Sequence, residues 1–154
     1  MRNTQRPKAE VFDASNWRIG IVVARFNSQI TSKSLASALE RAKDYGLKAE
    51  DIDVVEVAGS VEIPLALQQM AKTGRYRALA AIGCVIRGET AHFDYVCKFV
   101  TEGVLRVELD EQIPIAFGVL TCDNEQQALA RTAEGTGHLD AVMQLAKSLE
   151  TIKK

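Results

Sequence analysis

The sequence predicts an α/β protein: a three-layer α/β/α sandwich in which helices cover both faces of a four-stranded parallel sheet. Four short runs are interpreted as strands, and the first, which is rich in Ile and Val over 18–26, is typical of a strand that is buried on both faces. The runs alternate with longer segments whose apolar residues recur at helical spacing. This alternation favours one open parallel sheet. A length of 154 residues, with 47% hydrophobic and 25% charged side chains, suits a single domain over 1–154.

The first half of the chain contributes two predicted strands and two predicted helices. Residues 1–16 carry little periodicity and are interpreted as an extended N-terminal arm. The elements that follow are a strand over 18–26, a helix over 28–45 that ends at Gly46, a strand over 51–57 and a helix that ends near Gly74. Gly59 permits close backbone approach, Ser60 can cap a helix, and Pro64 is tolerated in a first helical turn, so 58–64 predicts a helix start.

The second half repeats the alternation of strands and helices. The predicted elements are a strand over 76–86, a polar loop over 87–91, a long helix to about Asp110, a strand over 113–121, a short helix that carries Arg131, a break over 133–137 and a last helix through Leu139 and Leu149. Asp123 is followed three residues later by Gln126, which resembles a capping box and predicts the start of the short helix.

Composition and charge exclude several classes of function. The formal net charge is −1, from 19 basic and 20 acidic residues, so the chain lacks the positive field of a non-specific nucleic-acid binder. No apolar run approaches the length of a membrane span. The N-terminus MRNTQRPKAEVFD is polar and lacks the apolar region of a secretory signal. We therefore expect a cytoplasmic protein that binds neither nucleic acid nor membranes.

The cysteines and histidines predict no metal site. Cys84, Cys97 and Cys122 lie in apolar surroundings without a CxxC pair, which favours reduced thiols that act as small core residues. His92 and His138 each lack a second His or Cys at the spacing of a metal site. We expect no metal to be bound.

Polar residues are concentrated where the predicted strands end. In open parallel sheets, ligands bind beyond the carboxyl ends of the strands. Four segments occupy such positions: 25–27, 58–62, 84–92 and 120–124. The chain has neither the GKS/T of a phosphate-loop nucleotidase nor a GxGxxG fingerprint, so nucleotide binding of those kinds is weakly supported.

Phe26 and the segment around Glu62 each allow two interpretations. Phe26 ends an apolar strand, so it suits core packing or an aromatic wall for a planar ligand. The amides that follow Gly59 can donate to a ligand carbonyl, with Glu62 as an acceptor. Equally, Glu62 can be the solvated carboxylate of an ordinary helix cap.

The segment from Arg87 to His92 is the densest polar cluster. Gly88 permits a tight turn, and the amides of a helix N-terminus together with the Thr90 hydroxyl suit an anion. His92 can transfer protons near neutral pH or be a half-exposed residue of a helix start. Arg131 suits a phosphate clamp, because guanidinium makes forked contacts, or an ordinary surface position.

Four segments in unbroken order carry a specific resemblance to a known family. They are FN at 26–27, GSVEIP at 59–64, GCVIRGETAHFDYV at 83–96 and PIAFGVLT at 114–121. With these residues the chain resembles lumazine synthase over roughly residues 17–132. The VIRGETAHFDYV stretch is the most specific part of the likeness.

The resemblance implies a flavodoxin-like fold and a transferase that catalyses the penultimate step of riboflavin biosynthesis. The family condenses 5-amino-6-(D-ribitylamino)uracil with L-3,4-dihydroxy-2-butanone 4-phosphate. The products are 6,7-dimethyl-8-ribityllumazine, phosphate and water, and no metal or organic cofactor is used. Family members form homopentamers, decamers or sixty-subunit shells whose active sites lie between subunits. The resemblance also implies riboflavin synthase as a candidate partner.

The resemblance further implies a role for individual residues. Phe26 would stack on the pyrimidine, and His92 would transfer protons. The substrate would also be bound by Ser60, Val61 and Glu62 at the ring and ribityl chain, by the backbone of Cys84, Val85 and Ile86 at the pyrimidine, and by Glu89 and Thr90 at the phosphate. The adjacent subunit would contribute Phe117 to the ring pocket and Arg131 to the phosphate.

The chain departs from the family pattern after Arg131. The loop over 132–140 is shorter than in the family and has no lysine at the expected position. Asp140 matches the acidic residue that follows in the family, and His138 is a candidate to replace the lysine, although neutral imidazole is a poor substitute for a permanent cation. The departure leaves a second interpretation open: a weakly active paralogue that binds lumazine or flavin or serves as a scaffold.

Overall fold

The computed structural model describes residues 7–153, so residues 1–6 of the predicted arm lie outside the described part of the chain. The strands and helices are β1 Ile19–Ala24, α1 Ser28–Asp44, β2 Ile52–Val57, α2 Ile63–Lys72, β3 Ala78–Ile86, α3 His92–Glu111, β4 Ile115–Cys122, α4 Glu125–Leu129 and α5 Gly135–Lys153. Single 3₁₀ turns occupy Ala49–Asp51, Ser60–Glu62 and Thr132–Glu134. All four strands are parallel, in the order β2-β1-β3-β4.

Side chains that alternate along β1 pack into two separate cores. Ile19, Ile21 and Val23 belong to the core under α1 and α5. Val22 and Ala24 belong to the core under α2 and α3 on the other face. Every residue of β1 is buried, as expected for a strand covered on both faces. The predicted three-layer α/β/α fold is confirmed. Among the described helices, none combines the length and the apolar character needed to cross a membrane.

The predicted break over 133–137 is wrong. The chain forms a 3₁₀ turn and then enters α5 at Gly135, so two glycines lie in the first turn of a helix. A Cβ on Gly135 would lie 2.4 Å from the carbonyl oxygen of Ser34 in α1. Glycine costs about 1 kcal/mol in a helix. Here it allows the start of α5 to lie directly against the backbone of α1.

The start of the short helix is shifted by one residue from the prediction. Asn124, rather than Asp123, is the N-cap of α4, and its side-chain oxygen accepts from the Gln127 N–H at 2.9 Å. Arg131 lies beyond the end of α4 at Leu129, so the prediction that this helix carries Arg131 is also wrong.

The carboxylate of Asp140 joins α5 to α1. Its Oδ1 accepts from Arg41 Nε at 2.8 Å and from the Tyr45 hydroxyl at 2.7 Å. Burial and this carboxylate raise the pKa of Tyr45 to about 12 from its ordinary 10.0. The folded state therefore holds the phenolic proton more tightly than the unfolded chain. Stability contributed by Tyr45 is complete below about pH 10 and is lost as pH rises towards about 12.

Asp140→Ala is expected to lower the free energy of unfolding by about 1–3 kcal/mol, because it leaves the buried Tyr45 hydroxyl and the Arg41 guanidinium without this partner. Asp110→Ala is the matched control, since Asp110 pairs with the exposed Arg106 on one helix surface. It should cost less than about 0.5 kcal/mol. Urea unfolding at one fixed protein concentration measures both. Equal midpoints for the two variants would contradict a stabilising role of Asp140.

Candidate functional site

A cleft of about 350 Å³ opens at the carboxyl ends of β1 and β3. Its volume lies within the range of small-molecule sites. It is lined by Phe26, Asn27, Gly59, Ser60, Val61, Cys84, Val85, Ile86, Gly88, Thr90, His92, Phe93 and Val96. The cleft thus brings together residues from three of the four segments that the sequence indicated, 25–27, 58–62 and 84–92.

The topology of the sheet places the cleft there. β1 and β3 are neighbours, but the chain leaves them towards opposite faces. The helix after β1 packs into one core and the helix after β3 into the other. The two connections diverge, which leaves a crevice at the strand ends where ligands of open α/β sheets bind.

Phe26 is 72% exposed at the mouth of the cleft, so the core-packing interpretation is wrong within this chain. Its position is set by its backbone, since its N–H donates to the Ala58 carbonyl oxygen at 2.9 Å. An exposed aromatic ring beside an apolar cleft is suited to stacking on a planar ligand. The stacking role itself stays a prediction.

Asn27 is a residue of the cleft to which the sequence analysis gave no role. Its backbone is left-handed, with φ 62° and ψ 46°, and it is the N-cap of α1. Its side-chain Nδ2 donates to the Cys84 carbonyl oxygen at 2.9 Å. The available signal was an asparagine between a strand and a helix, because asparagine is enriched in left-handed backbone.

The turn after β2 places Ser60 inside and Glu62 outside. Ser60 is buried, and a Cβ on Gly83 of β3 would lie 2.6 Å from its Oγ, so this turn packs closely on the sheet. Glu62 is exposed, and its Oε2 accepts from the Gly59 N–H at 2.9 Å, which confirms the helix-cap interpretation. Glu62 does not line the cleft of its own chain, and its role towards a ligand stays a prediction.

Arg87 connects the end of β4 to the start of α3. Its Nε donates to Asp123 at 2.9 Å, its Nη1 contacts Asp94 at 3.5 Å, and its guanidinium lies 4.4 Å from the ring centroid of Phe93. These carboxylates raise the pKa of Arg87. The contacts hold the first turn of α3, which carries His92, beside the cleft.

The loop between β3 and α3 presents its backbone and one hydroxyl to the cleft. Gly88 and Thr90 line it, and Thr90 Oγ1 accepts from the His92 N–H at 3.3 Å. The turn does not demand glycine at 88, since a Cβ there would meet no atom within 4 Å and φ is outside the left-handed range. Glycine instead leaves the loop backbone open, which suits an anion.

His92 is exposed and lines the cleft at the first residue of α3, so it can reach a bound molecule. Glu89 is exposed in the same loop but does not line the cleft. Phe117, on the edge strand β4, is 38% exposed. Arg131 donates from Nη1 to the Gln127 carbonyl oxygen at 2.9 Å. Phe117 and Arg131 lie outside the cleft of their own chain, so their contribution to a neighbour's cleft stays a prediction.

His138 lies on the inner side of α5. Its Nδ1 is 3.2 Å from the position that a Cβ on Gly118 of β4 would take. The ring thus borders its own sheet, between α5 and β4. This placement does not favour His138 as a substitute for the missing lysine.

The cysteines are unsuited to nucleophilic chemistry. Cys84 and Cys122 are buried and Cys97 is partly buried, with all three thiols free. Burial, with a smaller contribution from Cys122, raises the pKa of Cys84 to about 11, and burial also raises the pKa of Cys97 and Cys122. The thiolate is the reactive form, so these groups are inert at neutral pH. Cys84 lines the cleft, and the contribution of its backbone to ligand binding stays a prediction. Across residues 7–153, no group of His, Cys, Asp and Glu side chains is arranged to hold a metal ion.

A family model described as 6,7-dimethyl-8-ribityllumazine synthase matches residues 16–150 of the 154-residue chain. The match confirms the resemblance that the sequence motifs carry. The matched range contains both the cleft and the two residues assigned to a neighbouring subunit.

Proposed function

The chain belongs to the 6,7-dimethyl-8-ribityllumazine synthase family, and we propose that it catalyses the reaction that names the family. The substrates are 5-amino-6-(D-ribitylamino)uracil and L-3,4-dihydroxy-2-butanone 4-phosphate. The products are 6,7-dimethyl-8-ribityllumazine, phosphate and water. The observation that carries the proposal is the cleft, which combines an exposed aromatic ring with a helix start that bears a hydroxyl and a histidine.

The aromatic end of the cleft suits the pyrimidine. Phe26 offers its exposed ring for stacking, and the backbone at the end of β3 would bond to the ring edge. The turn that carries Ser60, Val61 and Glu62 would receive the ribityl chain. Aromatic stacking tolerates many ring systems, so the polar groups at the edge must supply the specificity.

The α3 end of the cleft suits the phosphate. The loop from Gly88 to Thr90 precedes a 20-residue helix, whose N-terminus carries a partial positive charge. Glu89 and Thr90 belong to this loop, and Arg131 of the adjacent subunit would complete the anion site. A guanidinium can bind two phosphate oxygens at once.

The chemistry needs both ends of the cleft. The pyrimidine amine adds to the ketone carbonyl, and the resulting hydroxyl leaves as water only after it receives a proton. Departure of the phosphate is favoured when its negative charge is stabilised. His92, which lines the cleft at the start of α3, would move protons between the reacting groups. Because the amine is already a nucleophile, holding the two substrates together supplies much of the rate.

Steady-state turnover with both purified substrates tests the proposal. We expect lumazine formation that depends on both substrates and releases phosphate. The competing interpretation is a paralogue that binds lumazine or flavin without turnover. It predicts binding of ribityllumazine with no product from the two substrates, and that result would overturn the proposed activity.

The proposed function also requires the chain to assemble. A site that takes Phe117 and Arg131 from a neighbouring subunit exists only in an oligomer whose contacts close a ring. Five apolar side chains on α2 and α3 are more than half exposed, which is typical of an interaction surface: Leu65, Tyr95, Phe99, Leu105 and Leu109. We expect a homopentamer or a multiple of it. Light scattering that finds only the 16.9 kDa chain at micromolar concentration would contradict this.

The shared site can also be tested by complementation. A 1:1 co-assembly of His92→Ala and Arg131→Ala subunits should contain about one intact site in four, if each site takes His92 from one subunit and Arg131 from the next. At a ketone phosphate concentration well below the wild-type KM, activity should therefore rise well above that of either variant alone. No recovery in a mixed assembly of normal size would place both residues in the site of one subunit.

A further inference from the structure

We propose that Asn27 is a positioning residue that holds the ring of Phe26 over the cleft by joining the ends of β1 and β3. The proposal rests on the proposed function, since it assigns Phe26 to the wall of the pyrimidine site. Asn27 borders the cleft, but in this role it acts through the backbone of its neighbour.

The backbone of Asn27 is the first observation. Among the non-glycine residues of 7–153, a positive φ occurs at Asn27 and at Gln112, with φ 62° and 52°. Such a conformation costs free energy and persists where the surroundings determine it. Asn27 lies in the cleft, whereas Gln112 ends α3 at the amino-terminal edge of the sheet. The strained backbone at residue 27 is therefore combined with a ligand-sized cavity.

The hydrogen bond of Asn27 is the second observation. The backbone pairing of β1 with β3 extends from Ile19–Ala78 to Val23–Ile82 and no further. The Cys84 carbonyl oxygen lies beyond this pairing, and Asn27 Nδ2 donates to it at 2.9 Å. The side chain thereby adds one connection between β1 and β3, at the point where the cleft separates them.

The third observation is how little else holds Phe26. The ring is 72% exposed, so packing within the chain contributes little to its orientation. On the β2 side, the N–H groups of Arg25 and Phe26 donate to the carbonyl oxygens of Val57 and Ala58 at 2.8 and 2.9 Å. On the β3 side the connection is the Asn27 side chain. Without it, the hydrogen bonds that remain for 25–27 are those to the β2 side and those from the Ile30 and Thr31 N–H groups of α1 to the Asn27 carbonyl oxygen.

The test uses substitutions that separate the backbone role of Asn27 from its hydrogen bond. Asn27→Gly accepts a positive φ but removes the donor. Asn27→Asp keeps the size and tolerates the conformation, but it places a carboxylate against a carbonyl oxygen. If the hydrogen bond positions Phe26, both variants should raise KM for the pyrimidine by about 3- to 10-fold, with kcat changed by less than about twofold. If only the backbone conformation matters, both should behave like wild type, and the proposal is overturned.

Gln112→Gly is the matched control, because it makes the same change at the other left-handed residue, away from the cleft. It should leave KM and kcat unchanged. A rise in KM equal to that of Asn27→Gly would show a general effect of glycine at such positions and would count against the proposal.

A double-mutant comparison tests whether Asn27 acts through Phe26. Phe26→Ala removes the ring, so adding Asn27→Gly to it should cause no further rise in KM. If the second substitution multiplies KM by the same factor as in wild type, Asn27 acts independently of the ring and the proposal fails.

Backbone hydrogen exchange gives a readout that does not depend on the reaction. The N–H groups of Arg25 and Phe26 should exchange faster in Asn27→Gly and at the wild-type rate in Gln112→Gly. Unchanged exchange in Asn27→Gly overturns the inference even if the enzyme is active. Faster exchange in a protein without lumazine synthase turnover would support the mechanical role of Asn27 while the proposed function fails.

Discussion

Replacing His92 with Ala is expected to lower kcat by about 100-fold and to leave a measurable rate, within the usual range for the loss of a general acid–base group. His92 is exposed at the first residue of α3 and borders the cleft. The nucleophilic amine and the positioning of both substrates remain in the variant, so catalysis should not be abolished. KM for the pyrimidine should change by less than about threefold, because Phe26 and the β3 backbone are untouched.

A second substitution identifies what His92 does. If His92 transfers protons, kcat should fall in every variant that lacks an acid–base group at this position. His92→Gln retains hydrogen bonding but cannot transfer a proton, so it should resemble the alanine variant. His138→Gln removes the other histidine, which lies against β4, and should leave kcat near wild type. A His92→Ala enzyme with the wild-type kcat would remove His92 from the mechanism.

The fold could be predicted because its strands are locally distinctive. Six consecutive buried residues in β1 require an unbroken apolar run, and the sequence provides one. The start of α5 could not be predicted in the same way. Glycine at 135 has the local signature of a break, and its reason is contact with Ser34, which lies about a hundred positions earlier in the chain. Local patterns contain no information about such a contact.

The candidate site, like the fold, could be predicted from the sequence only in part. The strand ends at 25–27, 58–62 and 84–92 could be selected, because parallel strands bring their carboxyl ends to one edge. Whether Phe26 is buried or exposed depends on what the neighbouring elements cover, and the sequence leaves both outcomes open. The contact between Asn27 and Cys84 depends on β1 and β3 being adjacent. Strand order follows from packing of the whole chain, so this contact could not be derived from the residues alone.

Arg131→Ala is expected to raise KM for the ketone phosphate by about 10- to 100-fold, because a charge-assisted hydrogen bond contributes about 1.5–3 kcal/mol. The chain has neither lysine nor arginine over 132–140, so the loop after Arg131 supplies no second permanent cation. His138 lies against its own sheet. KM for the pyrimidine should change by less than about threefold, since the aromatic end of the cleft is unaffected.

Two further variants show whether the rise in KM in Arg131→Ala comes from a lost contact with the phosphate. Arg131→Lys keeps the charge but loses the forked geometry, so its KM should lie between those of wild type and Arg131→Ala. Arg75→Ala removes an arginine whose guanidinium contacts Tyr76 and Asp53, outside the cleft, and should leave both KM values unchanged. Weak inhibition by inorganic phosphate should be lost in Arg131→Ala and kept in Arg75→Ala, because the anion itself is the ligand. If Arg131→Ala raises KM for the ketone phosphate by less than about twofold, Arg131 does not bind the phosphate. The amides at the start of α3 would then hold the phosphate without a guanidinium.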